Sequence, residues 1–351
     1  MSKSLEIDFL AVGNGEKSGD AIAFRYGDFS EPSKQTVIVI DGGTKDSGRE
    51  LCKLIKQTYG TNTIDVVVCT HPDGDHASGL TEVLGDEELT IHHLLIHKPW
   101  EHSQRIKDLY HDGRITSNSF SDRLKRAYNY AHECVEIAEK RGIKIHEPFS
   151  GLSYDNNTIR ILGPDKSYYE SLLPDFTKSP QAKESTLQKS FSAVKEAINW
   201  VIETMQIETL GEDGETSAEN NSSAVLLLEL DGSKYLFTGD TGIPALSRVI
   251  DYCETNQIDI SNIKFMQVPH HGSKRNISPS ILDAIKCKTA YVSASKDAPK
   301  HPAKKVINAY IRRGANVFTT EGNGLSHRIN ASSRSGWSTA TPEPFHNKVE
   351  E

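Results

Sequence analysis

Thr70-His71-Pro72-Asp73-Gly74-Asp75-His76 sets four side chains of metal-ligand type, His71, Asp73, Asp75 and His76, within six residues. The string follows Asp65-Val66-Val67-Val68-Cys69, a β-branched run that reads as a buried strand. Imidazole nitrogens and carboxylate oxygens bind divalent first-row metals. Two aspartates this close on one tight loop repel each other unless a cation lies between them. Gly74 is expected to permit a sharp turn that aims both flanks of the loop inward.

Further strand ends carry the same kind of residue. Lys234 to Phe237 runs into Thr238-Gly239-Asp240, and Lys264 to Val268 into Pro269-His270-His271-Gly272-Ser273. Upstream, Thr36 to Ile40 ends in Asp41-Gly42-Gly43. A lone Asp240 would more often be a turn or cap residue, and a lone histidine pair is structural about as often as not. Their recurrence at successive strand ends is what points to one shared metal centre.

The rest of the chain alternates strand and helix signals. Leu5 to Leu10 has period two and runs into the turn Val12-Gly13-Asn14-Gly15; Ala21 to Tyr26 reads as another strand. Asp46 to Tyr59 has helical spacing, with Asp46 or Ser47 as N-cap. Between about 100 and 215 the pattern is less regular: Phe120 to Arg141 reads as one amphipathic helix, Thr158 to Leu162 as a strand, and Tyr168 to Leu173 and Phe191 to Ile207 as helices. Glu208 to Asn221 is acidic and reads as a mobile surface loop. Strands return at Ala224 to Leu230, Thr289 to Val292 and Asn316 to Phe318, with helices at Ile243 to Thr255, Ser278 to Lys286 and Ala303 to Gly314. This order suits two facing sheets with helices outside, though periodicity alone does not separate it from a doubly wound sheet. The expected organisation is a single α/β domain over residues 1–335, with a helical insertion around 100–215 and a frayed tail over 336–351.

Composition narrows the function classes. The chain has 351 residues and a net charge of −8, which argues against a general nucleic-acid coat. Yet Lys264 to Arg334 holds thirteen Lys or Arg against three carboxylates, an asymmetry that points to an anionic partner near that end. No apolar run approaches the roughly 20 residues that cross a bilayer. The opening MSKSLEIDFLAVGNG shows no secretory signal, and the five cysteines include no C-x-x-C pair. A cytoplasmic protein with reduced thiols and no membrane partner is the expectation.

His71-Pro72-Asp73-Gly74-Asp75-His76 resembles the metallo-β-lactamase superfamily signature H-x-H-x-D-H, with Asp in place of the second His. Together with Asp41-Gly42-Gly43, Thr238-Gly239-Asp240, Pro269-His270-His271-Gly272-Ser273 and His301-Pro302, it is similar to the ComEC-type hydrolase domain of DNA-uptake competence proteins and its stand-alone relatives. The resemblance implies an αββα sandwich and two divalent ions. His71 and Asp73 would bind one ion, and Asp75, His76 and His271 (or His270) the other. Asp240 would bridge them, and Asp41 would support the ligand loop. The family's third histidine, before Ala224 to Leu230, is replaced by Asn220-Asn221-Ser222-Ser223. That harder donor set shifts the preference from Zn²⁺ toward Mn²⁺ or Mg²⁺. The implied reaction is hydrolysis by a water made acidic between two ions, most readily of a phosphodiester in DNA, RNA or a nucleotide. Asp75, His270 and His301 are the candidate catalytic groups, and Lys274, Lys304 and Lys305 the candidate phosphate contacts. Two other readings are open: a hydrolase of small carbon esters on the same fold, and a non-catalytic metal-binding module. His92, His93, His97, His102, His111, His132 and His146 share no strand-end context and are read as non-ligands.

Overall fold

The computed structural model describes residues 3–13, 18–102, 117–176, 200–299 and 301–351. In the first half, β1 (Ser4–Phe9), β2 (Ala21–Gly27) and β3 (Gln35–Gly42) precede α1 (Lys45–Lys53), β4 (Thr63–Val68), α2 (Gly74–Gly85) and β5 (Thr90–Leu95). After α3 (Ser117–Ala127) and α4 (Asn129–Arg141) come β6 (Lys144–His146), β7 (Ser153–Tyr154), β8 (Ile159–Gly163), α5 (Lys166–Leu172), β9 (Trp200–Ile202) and α6 (Ala218–Asn221). The second half holds β10 (Val225–Leu230), β11 (Ser233–Phe237), α7 (Ile243–Thr255), β12 (Ile263–Gln267), α8 (Pro279–Ala284), β13 (Cys287–Val292), α9 (Lys304–Arg312), β14 (Asn316–Thr319), β15 (Leu325–Ile329) and β16 (Lys348–Glu350).

Two seven-stranded sheets result, in the orders β15-β1-β2-β3-β4-β5-β6 and β14-β13-β12-β11-β10-β8-β7. β3 to β6 run parallel, as do β11 to β14, while the remaining pairs are antiparallel. Strand alternation explains the layering. In β3, Ile38 and Ile40 face the other sheet, whereas Val37 and Val39 face the helices. The sheet-to-sheet core joins Leu5, Ile7 and Phe9 to Leu226, Phe265 and Tyr291, and the Phe24 and Phe237 rings stack 5.1 Å apart across it. α1, α2 and α4 cover the first sheet, and α7, α8 and α9 cover the second. The architecture is therefore the expected αββα sandwich.

Several local expectations are corrected. Phe120 to Arg141 is two helices, broken at Tyr128, whose φ of −108° and ψ of 52° are not helical. α1 is capped by Thr44 rather than by Asp46 or Ser47. Gly74 is not a sharp turn: Asp73 is the N-cap of α2, and Gly74, Asp75 and His76 form its first turn. Within Phe191 to Ile207, residues 191–199 lie outside the described residues, and Trp200 to Ile202 is a strand. That strand pairs with β16, so the end of the chain is held and not frayed; Val349 is fully buried. The cause is polar. Glu203, buried, accepts hydrogen bonds from Thr209, Asn308 and Arg312, which ties the segment to α9 in a way no hydrophobic period displays. Glu208 to Asn221 ends in α6, whose Glu219, Asn220 and Asn221 are buried. The turn at Asn14-Gly15, Lys300 and His111 lie outside the described residues.

A candidate metal centre at the strand ends

Parallel strands deliver their C-terminal ends to one edge of the sandwich. β3 presents Asp41, β4 leads to His71 and the first turn of α2, β11 presents Asp240, and β12 leads to His270 and His271. Asp240 is the hub. Its Oδ2 lies 3.4 Å from His76 Nε2, 3.7 Å from His270 Nε2, 3.8 Å from His271 Nε2 and 3.9 Å from His71 Nε2. His71 Nε2 is also 3.9 Å from Asp73 Oδ2. Asp75, the exposed member, joins His76 and His271 with ligand atoms within 4.8 Å of one another.

The hydrogen bonds on the far side of each ring decide what the near side offers. His271 Nδ1 donates to Ser293 O at 2.8 Å. His76 Nδ1 donates to Asp41 Oδ2 at 2.8 Å. Thr70 Oγ1 spends its proton on Asp41 Oδ2 and so accepts from His71 Nδ1 at 3.0 Å. Asn276 gives its amide N–H groups to the carbonyls of Asp240 and Thr241, which turns its oxygen toward His270 Nδ1 at 2.9 Å. His71, His76 and His271 thus carry a proton on Nδ1 and turn Nε2 toward Asp240, whereas His270 Nδ1 meets both the Asn276 oxygen and, at 3.2 Å, the Asn220 amide nitrogen. Nε2 of His71, His76 and His271, and Oδ1 of Asp20 and Asp240, are buried and meet no hydrogen-bond partner. Acceptors facing acceptors, without a donor among them, form a cradle for cations and for little else.

Electrostatics agrees. Burial works against the Asp240 carboxylate, but His76, His270 and His271 outweigh it and hold it well below the usual range. Burial pushes Asp20 up to about 8, helped by Asp240 and Asp41 and opposed by His76. Burial lowers His271 to about 4. His76 goes the other way, raised against its burial by Asp240 and Asp41.

Backbone strain accompanies the cluster: Asp41, His270 and His271 take φ values of 54°, 47° and 55°, each costing about 1–2 kcal/mol for a residue with a Cβ. Asp41 could be counted a ligand from its proximity to His71 and His76. Its oxygens, however, already accept from Thr70 N, Thr70 Oγ1 and His76 Nδ1, so it orients the rings instead.

The strand-end residues therefore converge, and His301 lies beside them, its ring 5.6 Å from that of His270. The candidate phosphate contacts have partners of their own: Lys274 Nζ reaches the carbonyl of Glu351, Lys304 lies 4.9 Å above the Trp200 ring, and Lys305 is buried with Nζ 3.5 Å from Thr209 O. Asn220 and Ser223, in the place of the absent histidine, contact the cluster: Asn220 Nδ2 lies 3.2 Å from His270 Nδ1, and Ser223 Oγ accepts from Asp240 N. Sequence reasoning missed Asp20, Gln267 and Asn276. Asp20 stands alone before an apolar strand, and the other two are amides with no motif around them.

Residues 31–123 match the family model described as the metallo-beta-lactamase superfamily. The chain carries a metallo-beta-lactamase superfamily domain. Among curated relatives, the chain is similar to ComE operon protein 3 of Bacillus subtilis (strain 168), at 30% identity over 125 residues, and to the uncharacterized protein YcaI of Escherichia coli (strain K12), at 30% over 126. Each match spans 35% of this chain and only 16% of the relative. Among solved structures, Tm1679, a metal-dependent hydrolase of the beta-lactamase superfamily, aligns over 93% of this chain and 99% of its own, at 13% identity and a TM-score of 0.45. Igni18, a metallo hydrolase of the archaeon Ignicoccus hospitalis, aligns over 93% and 100% at 12% identity and a TM-score of 0.42. Among the described residues, no helix of the metallo-beta-lactamase superfamily domain or its flanks is long and apolar enough to cross a membrane.

Proposed function

We propose that this chain is a metal-dependent hydrolase of phosphodiesters, working with two divalent cations. The observation that carries this reading is the convergence of His71, His76, His270 and His271 Nε2 on Asp240, three of those nitrogens buried without a hydrogen-bond partner. His71 and Asp73 would hold one ion and Asp75, His76 and His271 the other, with Asp240 within reach of both. Five aspartates (Asp20, Asp41, Asp73, Asp75 and Asp240) surround the cluster, and among the described residues no Lys or Arg is paired with Asp20, Asp41, Asp73 or Asp240. That much negative charge fits two divalent ions, and its oxygen content favours Mn²⁺ or Mg²⁺ over Zn²⁺. Bound there, such ions would supply Lewis acidity and make an attacking water more acidic.

The chain's own residues do the rest. Asp41 and Ser293 O fix the tautomers of His76 and His271. His270, with 28% of its side chain exposed at the mouth and its Nδ1 held by Asn276, is placed to give a proton to a leaving oxygen, with His301 beside it. One observation favours the second reading, a hydrolase of small carbon esters. Arg312, Arg313 and Arg334 are paired with Glu203, with Glu208 and Asp283, and with Glu6 and Asp8, so the basic stretch is partly neutralised in space.

Turnover of bis-(p-nitrophenyl) phosphate, single- and double-stranded DNA, RNA and p-nitrophenyl acetate, each with Mn²⁺, Mg²⁺ or Zn²⁺, separates the readings. Phosphodiester cleavage that falls at least about 10²-fold in Asp240→Ala supports the proposal. Cleavage of the carbon ester alone sinks it in favour of the second reading.

A further inference from the structure

Asp20 lies just before β2, 1% exposed, in a segment pinned on all sides. Ser293 Oγ donates to Gly19 O, and Ser295 N donates to Ser18 Oγ. A Cβ at Gly19 would stand 2.2 Å from the carbonyl oxygen of Asp75, so this backbone runs directly beneath the ligand-bearing first turn of α2. Asp20 is therefore presented to the centre by a rigid floor.

Gln267 fixes how its carboxylate is used. The Gln267 Oε1 accepts from two backbone donors, Thr238 N at 3.0 Å and Gly239 N at 3.2 Å. The orientation of that amide is thereby determined, and its NH₂ must point away, where it donates to Asp20 Oδ2 at 2.6 Å. Asp20 Oδ1 is left buried without a hydrogen-bond partner. Asp20, Asp240 and His271 offer ligand atoms within 4.8 Å of one another. A structural role does not account for this arrangement. One neutral acceptor would satisfy Gln267, and an asparagine carbonyl would supply it without burying a charge beside Asp41 and Asp240.

We propose that Asp20 is a metal ligand, its Oδ1 adding a carboxylate oxygen to the ion held by His271 and Asp240. This rests on the metal centre proposed above and deepens it. The ion on the His271 side becomes richer in oxygen than the motif residues alone would make it.

The fixed amide makes Asp20→Asn a sharp test. Gln267 offers only a donor, so the asparagine must turn its carbonyl toward Gln267 and its NH₂ toward the ion. Mn²⁺ binding to the full chain is measured by calorimetric titration and by electron paramagnetic resonance, alongside far-UV circular dichroism and melting of the metal-free protein. Wild type is expected to bind two Mn²⁺. Asp20→Asn and Asp20→Ala should weaken one of the two at least about tenfold and leave the other unchanged. Their metal-free melting temperatures should not fall, because each removes a buried carboxylate crowded by others. Wild-type affinity for both ions in either folded variant overturns the ligand assignment and leaves the metal centre standing. Variants that lose their fold without metal overturn it too, by making Asp20 a scaffold residue. A wild-type chain that binds no Mn²⁺ overturns both this assignment and the centre on which it rests.

Discussion

Asp73 departs from the family signature, and its geometry says what the change does. It occupies the N-cap of α2, where an aspartate ordinarily accepts a hydrogen bond from the helix, yet its side chain makes no such bond. The carboxylate instead stands 3.9 Å from His71 Nε2. Burial raises its pKa, with Glu219 and Asp75 adding to the effect and His71 opposing it. A group withheld from its usual local partner and kept among like charges is available to a cation. Asp73→His should therefore move the centre toward softer ions: the Zn²⁺ to Mn²⁺ affinity ratio should rise about tenfold, or about 1.4 kcal/mol. Competitive titration measures the ratio, and an unchanged value removes Asp73 from the ligand set.

At the scale of elements, the histidines outside the centre sort by their partners. His97 is buried against Tyr169 and Phe149, and burial lowers it to about 3, so it is a neutral core ring. His102, five residues on, is clamped between Glu147 after β6 and Glu170 of α5, at 2.9 Å each. Burial disfavours its charge, but the two carboxylates prevail and raise its pKa above the ordinary value of about 6.5. A raised value in the fold means that the clamp stabilises fully below about pH 6.5 and is lost as pH rises through the folded value. His102→Gln should thus cost about 2 kcal/mol near pH 6, and the melting-temperature gap to wild type should narrow with increasing pH. A gap that widens toward alkaline pH contradicts the clamp. Short elements were the hardest to read in advance. β5 and β15 went unrecognised because Thr90-Ile91-His92-His93 and Ser326-His327-Arg328 hold too few apolar residues to display a strand period, while helices with an apolar stripe, such as α7 and α9, were recovered.

At the scale of the molecule, the two halves are locked by the end of the chain. β15 pairs with β1, and Arg334 beyond it reaches Asp8 and Glu6 at 2.7 Å each, beneath Arg25 and the Tyr59 hydroxyl. Arg334→Ala strands two buried carboxylates and should cost about 3 kcal/mol in denaturant unfolding. A cost under about 1 kcal/mol would mean that Arg25 alone neutralises the pair. Ion pairs of this kind neutralise part of the basic C-terminal stretch, since Arg312, Arg313 and Arg334 each meet acids from other parts of the chain. What the sequence by itself determined was the identity of the donors and their recurrence at strand ends, because apolar strands and the residues that follow them are local, periodic patterns. Only the tertiary structure decided which partner each ring meets on its far side, that Asp20 lies beside Asp240 and His271 from before β2, and that Lys305 is buried near Thr209. Those outcomes depend on hydrogen-bond partners tens to hundreds of residues away, and no local pattern encodes them.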